Sequence, residues 1–133
     1  MSDAAETLVG DPTTEPFWAA CRDRRLLIQR CETCGHRQFY PRPFCLACES
    51  SELGWTEASG EGRIYSMTTV RVPADPSMPP PYVVAIVELT EGPRLLTNIE
   101  GGSVAIGDAV RLRWREREPL PPLPVFAPAR RAP

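Results

Sequence analysis

The sequence predicts a mainly β protein with one short N-terminal helix, a four-cysteine metal-binding segment and a small β-barrel. The first observation behind this prediction is a doubled C-x2-C pattern in the first half of the chain. The second is a series of four or five short apolar segments, separated by glycine turns, between residues 60 and 118. The third is the presence of 16 prolines among 133 residues, about twice the usual share, which favours loops and turns.

The helix is predicted near the start of the chain. Residues 1–13 are small, acidic and aperiodic, and we expect them to form a flexible N-terminus. A helix fits residues 15–25, with Thr14 as its N-cap and Pro16 in its first turn, where the missing N–H has no partner to lose. Its apolar face would consist of Phe17, Trp18 and Cys21.

The strongest chemical signal is the spacing of the cysteines, which form two C-x2-C pairs with ten residues between them. Two such turns can present four thiolates to one tetrahedral point. This is the closed geometry of a structural zinc site, and it leaves no position to activate water. Iron binds similar sulfur sites, and two disulfides are a further alternative, although disulfides are rare in cytosolic proteins. We therefore expect a structural Zn²⁺ bound by Cys31, Cys34, Cys45 and Cys48.

The segment around the cysteines needs a metal in order to fold. Residues 26–58 are too few to bury enough apolar surface alone, and metal binding supplies the missing free energy. Gly35 follows the first cysteine pair, where the chain must turn sharply. Glu49 occupies the matching position after the second pair, where a glycine would turn more easily.

The second half of the chain predicts the barrel. Residues 63–72 alternate in hydrophobicity, which places Ile64 and Met67 on opposite faces of a strand. Residues 73–81 form a proline-rich loop, and residues 82–89 are a nearly continuous apolar run, typical of a central strand buried on both faces. Further strands are expected at residues 95–99 and 110–114, and residues 123–126 are expected to lie along the barrel edge.

Composition limits the classes of function. The formal net charge of −2 argues against a polyanion as the main partner, because nucleic-acid-binding domains usually carry a basic excess. The chain has no lysine and one histidine, so Schiff-base chemistry is excluded and imidazole catalysis has only His36 as a candidate. Cys21 with His36 as its base is conceivable, but packing in a core is the commoner role of a free cysteine. We expect no catalytic residue.

The sequence also predicts a cytoplasmic location. No apolar run approaches the ~18 residues that a membrane span needs. Residues 1–10 lack both the basic start and the apolar stretch of a secretory signal.

Two groups of arginines are candidate contact surfaces. Residues 22–42 carry six arginines against Asp23 and Glu32, a local excess of +4. The second group would project from one face of a strand and consists of Arg111, Arg113, Arg115 and Arg117. Either group could pair with phosphates or with the carboxylates of a partner, or form a solvated face. Aromatic residues that could stack bases or pack the core are Phe39, Tyr40, Trp55, Tyr65 and Trp114.

A series of ordered motifs spans residues 15–128. They are Phe17-Trp18, Arg25-Leu26, Cys31-x2-Cys34-Gly35, Pro41-Arg42-Pro43-x-Cys45-x2-Cys48, Gly60-x-Gly62, Pro81-Tyr82-Val83-Val84-Ala85, Gly107-Asp108 and Leu123-Pro124-Val125-Phe126. Together they resemble the acyl-CoA-associated zinc-ribbon/OB-fold family, long known only as a domain of unknown function. Glu49 departs from the glycine that usually follows the fourth cysteine in that family.

The resemblance implies a rubredoxin-like zinc ribbon followed by an OB-fold domain. The implied division is a flexible N-terminus at residues 1–13, helix and ribbon at 14–58, the OB-fold domain at 59–128 and a flexible tail at 129–133. It also implies a non-catalytic accessory subunit of lipid or steroid metabolism. Its partner would be a thiolase, a thiolase-like aldolase, a hotdog-fold hydratase or a hydroxymethylglutaryl-CoA synthase.

The same resemblance implies a hetero-oligomer in which the chain helps to form the acyl-CoA channel. Acyl-CoA would then contact it at the partner interface, and neither nucleic acid nor a membrane would be a partner. The alternative is a zinc-ribbon/OB module that binds single-stranded nucleic acid, since both folds occur in such proteins.

Overall fold

The computed structural model describes residues 11–75 and 77–129, and within them the chain forms one helix and eight strands. The predicted flexible segments at residues 1–13 and 129–133 lie largely outside the described residues. The helix is α1 (Glu15–Arg22), and the strands are β1 (Leu27–Cys31), β2 (Arg37–Gln38), β3 (Leu53–Glu57), β4 (Glu61–Val70), β5 (Tyr82–Leu89), β6 (Arg94–Ile99), β7 (Ala109–Arg117) and β8 (Leu120–Pro128).

Helix α1 is shorter than the sequence predicts. It ends at Arg22 rather than at residue 25. The reason is that Arg24 adopts the left-handed backbone conformation, with φ of 56°, which a continuing helix does not allow. The predicted apolar face is confirmed, since Phe17 and Cys21 are buried and Trp18 packs against the core.

The segment that contains the cysteines forms a three-stranded antiparallel sheet in the order β2-β1-β3. β1 pairs with β3 along its whole length, from Leu27 opposite Glu57 to Cys31 opposite Leu53. The short β2 pairs on its other side. The first cysteine pair therefore begins at the end of a central strand, whereas the second lies in the loop between β2 and β3.

Strands β4 to β8 close a barrel in the order β4-β5-β6-β8-β7. β5 is paired on both sides, with β4 and with β6. Its inward side chains Ala85, Val87 and Leu89 are buried, whereas the alternate ones are half-buried. The predicted burial of this strand on both faces is therefore wrong, because its outer face borders a groove rather than a second packed layer.

A β-bulge in β4 changes which of its side chains face the core. The register with β5 shifts between Ile64 and Ser66, so that Tyr65 is the extra residue. Ile64 is buried, and Met67 packs against the same core. The predicted placement of Ile64 and Met67 on opposite faces is wrong, because strict alternation does not continue through a bulge.

The proline-rich C-terminal segment closes the barrel. β8 pairs with β7 along its length and with β6 only at Ile99 and Phe126. Val125 and Phe126 are fully buried. The predicted edge position is wrong. Because β8 pairs with β6 at only one position, few of its backbone N–H groups are needed on that side, and prolines are therefore compatible with the closed barrel.

One buried core joins the helix, the ribbon sheet and the barrel. Leu26 and Ile28 come from the ribbon, Phe17 from α1, and Val87 and Phe126 from the barrel. The helix thus lies where the two sheets meet and fixes the ribbon on the barrel. Among the described residues, no helix has the length and hydropathy that crossing a membrane requires.

Candidate functional site

The four cysteines that the sequence singles out converge on one point. Their Sγ atoms all lie within 4.8 Å of one another. Cys31 Sγ is 3.6 Å from Cys48 Sγ. Cys34 Sγ is 3.7 Å from Cys45 Sγ. Sulfur ligands at about 2.3 Å around a tetrahedral zinc ion lie about 3.8 Å apart, so the spacing fits one zinc ion.

The first cysteine pair is built onto the sheet. Cys31 is the last residue of β1, and its N–H donates to the His36 carbonyl at 2.8 Å. Its sulfur accepts the backbone N–H groups of Thr33 and Cys34 at 3.3 and 3.4 Å. These bonds, led by the one from Cys34, lower the pKa of the Cys31 thiol to about 6. The turn therefore favours a thiolate, which is the form that binds metal.

The second cysteine pair repeats this turn within a loop. Cys45 Sγ accepts the Ala47 N–H at 3.3 Å, and the Glu49 N–H donates to the Cys45 carbonyl at 2.8 Å. Glu49 has φ of 68°, close to the 81° of Gly35 at the matching position of the first turn. The expectation that a glycine would turn more easily here agrees with this left-handed conformation.

Four thiolates this close cannot all be ionised without a cation. A backbone hydrogen bond from Ser50 lowers the pKa of Cys48, but burial and the neighbouring cysteines outweigh it and raise this pKa to about 12. A divalent cation between the sulfurs removes the conflict, because it favours every thiolate at once. The donor set therefore fits a structural Zn²⁺, and four sulfurs fill its tetrahedral coordination.

Cys21 is placed for packing. Its side chain is fully buried in the shared core. Burial raises the pKa of the Cys21 thiol to about 12, although Arg117 acts in the opposite direction. His36, the only candidate base, is exposed on the turn after the first cysteine pair. The packing role that sequence analysis favours for Cys21 is confirmed.

Two buried glutamines beside the cysteines escaped sequence analysis. Gln29 on β1 is 3% exposed and Gln38 on β2 is 4% exposed. Gln38 Nε2 donates to Gln29 Oε1 at 2.8 Å, and both amides continue to the backbone of the loop that carries Cys45. A glutamine in a short strand usually lies on a solvated face, so the sequence offers little that would distinguish this pair.

A groove of about 660 Å³ lies between α1, the ribbon loop and the outer faces of β5 and β6. The rings of Phe17, Phe39 and Tyr40 form one wall, with centroids 5.4 Å apart for Phe17 and Phe39 and for Phe39 and Tyr40. Of the described residues that line it, the charged ones are Arg42 and Arg94. The groove therefore combines an apolar surface with positive charge.

The outer face of β6 contributes an exposed leucine and a stacked arginine to the groove. Leu96 is 71% exposed on β6, although it lines the groove. The Arg94 guanidinium lies 3.7 Å from the ring centroid of Tyr65 and forms an ion pair with Glu88 at 3.5 Å. Stacking on an aromatic ring restricts the orientation of this arginine beside the groove.

The predicted arginine face on β7 holds for three of its four residues. Arg111, Arg113 and Arg115 alternate in regular register with β8, but the register shifts between Arg115 and Arg117, so Arg117 does not belong to the same regular series. Arg115 forms an ion pair with Glu100. Arg117 donates to the Pro121 carbonyl at 2.8 Å and lies 5.5 Å from the ring centroid of Trp18.

The N-terminal arginine group is divided between internal contacts and the groove. Arg24 forms an ion pair with Glu116, and Arg25 forms one with Glu57. These pairs join the helix end to the barrel and to the ribbon. Arg42 lines the groove instead.

A four-cysteine ribbon followed by a closed five-stranded barrel defines a zinc-ribbon/OB-fold protein. Comparison with known families agrees. Residues 18–54 match the family described as "ChsH2, rubredoxin-like zinc ribbon domain", and residues 55–115 match "ChsH2, C-terminal OB-fold domain".

Two relatives in other organisms agree with these family matches. The chain is 45% identical over 117 residues to a probable enoyl-CoA hydratase alpha subunit of Thermomonospora curvata, a match that covers 85% of this chain but only 37% of that protein. It is 33% identical over 105 residues to a DUF35 domain-containing scaffold protein of Pyrococcus furiosus, covering 75% of this chain and 76% of the relative.

A solved structure shares the fold along most of the chain. The Ltp2-ChsH2(DUF35) aldolase contains a chain that is 42% identical, with a TM-score of 0.83. The match covers 90% of this chain and 96% of that one. The protein belongs to the DUF35 family of ChsH2-type zinc-ribbon and OB-fold proteins, which confirms the resemblance inferred from its motifs.

Proposed function

We propose that this chain is a non-catalytic accessory subunit that binds an acyl-CoA enzyme, with a thiolase or a thiolase-like aldolase as the first candidate. The observation that carries the proposal is the similarity to a chain of the Ltp2-ChsH2(DUF35) aldolase over 96% of that chain's length. Relatives named as a hydratase alpha subunit and as a scaffold protein support the same role. The burial of Cys21 supports the view that the chemistry belongs to a partner.

Zinc has a structural role in this proposal. Its ligands are Cys31, Cys34, Cys45 and Cys48, whose sulfurs lie within 4.8 Å of one another. The helix and ribbon domain would extend over residues 14–58 and the OB-fold domain over 59–128. This division is supported by β3, which pairs with β1 and ends at Glu57, and by β4, which begins the barrel at Glu61.

The groove is the surface that we assign to acyl-CoA at the interface with the enzyme. Arg42 and Arg94 would face the phosphates of CoA, with which guanidinium groups pair well. The aromatic and aliphatic lining suits the acyl chain and the pantetheine arm. Met78, from the proline-rich loop, reaches the same groove, so this loop would lie against the enzyme. A complex with a CoA enzyme of lipid or steroid metabolism would place the chain in the cytoplasm.

The first test is purification of the tagged chain from its native host, with and without nuclease treatment of the extract. We expect one thiolase, aldolase or hydratase subunit in stoichiometric amount, identified by mass spectrometry. The purified complex should turn over acyl-CoA, whereas this chain alone should not. Recovery of ribonucleoproteins that disappear after nuclease would contradict the proposal and favour the single-stranded nucleic-acid module.

Two matched variants test the groove in that complex. Leu96→Glu places a carboxylate in the groove. Ile106→Glu places one outside the groove, at a residue of similar exposure, 67% against 71% for Leu96. We expect Leu96→Glu to lower acyl-CoA turnover roughly tenfold or more, as for loss of a central interface contact. Ile106→Glu should leave turnover unchanged. Equal effects of the two variants would remove the groove from the proposal.

A further inference from the structure

The two halves of the cysteine centre are attached to the ribbon sheet in different ways. The first pair continues directly from β1, and the neighbouring Glu32 N–H donates to the Glu52 carbonyl at 2.8 Å. The second pair lies in a loop. In the part of the chain that the structure describes, the backbone bonds recorded for Cys45 go to Ser50 and Glu49 of the same loop. Such bonds shape the loop but do not fix its position on the sheet.

Gln29 supplies one attachment of this loop to the sheet. Its Nε2 donates to the Arg42 carbonyl at 2.8 Å, and its Oε1 accepts the Arg42 N–H at 2.9 Å. The same Oε1 accepts Nε2 of Gln38 at 2.8 Å. One buried amide on β1 thus bonds both polar backbone groups of a loop residue, as a neighbouring strand would.

Gln38 supplies the second attachment, on both sides of a cysteine. Its Nε2 donates to the Phe44 carbonyl at 3.1 Å, and its Oε1 accepts the Leu46 N–H at 2.9 Å. These two residues flank Cys45, whose side chain is fully buried. An exposed contact between Thr33 Oγ1 and Ser50 Oγ, 2.9 Å long, is a further link between the two halves.

We propose that Gln29 and Gln38 are positioning residues of the zinc site, which hold Cys45 where the metal requires it. The inference rests on the zinc ligation proposed above. Leucine would fill the same space, but it would leave the carbonyl and N–H groups of the loop without hydrogen-bond partners. Each buried group without a partner lowers the free energy of unfolding. The two amides therefore do what apolar packing cannot: they fix the loop before and after its metal ligand.

The test is the rate of zinc release from the full-length chain into the chelator 4-(2-pyridylazo)resorcinol, well below the unfolding temperature. Gln38→Leu should release zinc roughly tenfold faster or more, because the loop loses its bonds to β2 on both sides of Cys45; loss of supporting hydrogen bonds around a metal site lowers affinity by about this factor. The matched control is Thr97→Val, which removes a buried hydrogen bond of 3.0 Å to the Pro124 carbonyl in the barrel. Its zinc release should equal that of the wild type.

Cobalt in place of zinc distinguishes positioning from general stability. We expect Gln38→Leu to shift or weaken the thiolate-to-cobalt charge-transfer and d–d bands, and Thr97→Val to keep the wild-type spectrum. Hydrogen exchange of β5 should be unchanged in Gln38→Leu, which shows that the barrel is folded. If Gln38→Leu does not fold, Gln38→Glu replaces it with the same expectations, because it keeps the acceptor for Leu46 but loses the donor.

The outcomes separate this inference from the zinc proposal. A wild-type chain that contains no zinc would overturn both. A zinc-loaded wild type together with a Gln38→Leu variant of unchanged release rate and cobalt spectrum would overturn the inference alone. Equal acceleration by Thr97→Val would also overturn it, because a loss of barrel stability would then explain the effect.

Discussion

The barrel and the ribbon reach a fixed structure by different means. The barrel buries aliphatic and aromatic side chains completely, among them Val87, Val125 and Phe126. The ribbon contributes Leu26 and Ile28 to the shared core, but its far end is held by four sulfurs and two amides. Apolar burial thus stabilises one region, and metal and polar bonds stabilise the end of the other. The difference implies that the ribbon can be unfolded while the barrel stays intact.

The largest effect should follow from loss of a zinc ligand. Cys45→Ser removes a thiolate from the cluster, and structural zinc supplies about 10 kcal/mol or more to the folding of small domains. We expect hydrogen exchange of β1 and β3 to become fast while β5 keeps its protection. Mass spectrometry of the exchanged peptides measures both regions in one experiment.

Cys21→Ala is the control for that experiment, because it removes a cysteine from the core rather than from the cluster. This variant should keep one zinc per chain and a protected β1. Full zinc content in Cys45→Ser would contradict the assignment of this residue as a ligand. Loss of protection in β5 would show that the two regions unfold together.

Thiol reactivity provides a second way to separate the regions. After chelation at pH 7, we expect the exposed Cys34 to react with iodoacetamide, while the buried Cys21 stays unmodified. The pKa of Cys21 is raised from 9.0 to about 12, so its thiolate fraction at this pH falls about a thousandfold. Peptide mapping measures each thiol. Alkylation of Cys21 at the rate of the ribbon cysteines would mean that the helix opens with the ribbon.

What the sequence predicts well has a local cause. Cysteine spacing identifies the metal centre because two residues between ligands suit one tight turn. Glycine turns and alternating strands identify the barrel. The position of residues 120–128 does not follow from the sequence, because prolines are typical of an edge strand. Only the tertiary arrangement shows that β8 needs few N–H groups on the side facing β6.

What the sequence does not predict depends on partners far along the chain. The bulge in β4 exists because β4 must pair with β5 while it bends around the barrel. No residue type within the strand predicts its position. Gln29 and Gln38 are nine residues apart, and their role arises only once the loop folds back over them. The groove likewise combines residues of the helix, the ribbon and the barrel.

A core truncation tests the barrel side of the comparison. Phe126 is fully buried, and Phe126→Ala should lower the free energy of unfolding by about 3–5 kcal/mol. Urea unfolding followed by circular dichroism measures this. Below the transition the variant should still hold one zinc, since its substitution lies away from the cluster. Leu96→Ala, at an exposed position, should change stability by less than about 0.5 kcal/mol. Zinc loss from folded Phe126→Ala would show that the core positions the cluster.

The smallest effect concerns the two turns of the ribbon itself. Glu49 has φ of 68°, a conformation that costs an L-residue roughly 1–2 kcal/mol, whereas a glycine there would lose roughly 0.5–1 kcal/mol more conformational entropy on folding. Glu49→Gly should therefore tighten zinc binding, measured by competition with a chelator, by only about two- to fivefold. Gly35→Ala should weaken zinc binding, because a φ of 81° is unfavourable for alanine. A steric clash would not contribute, since the atom nearest to the new Cβ is Arg30 Nη2 at 3.6 Å, an ordinary contact distance. If zinc affinity rises in Glu49→Gly and falls in Gly35→Ala, backbone conformation limits the stability of both turns. Weaker binding in Glu49→Gly would instead mean that its side chain stabilises the second turn.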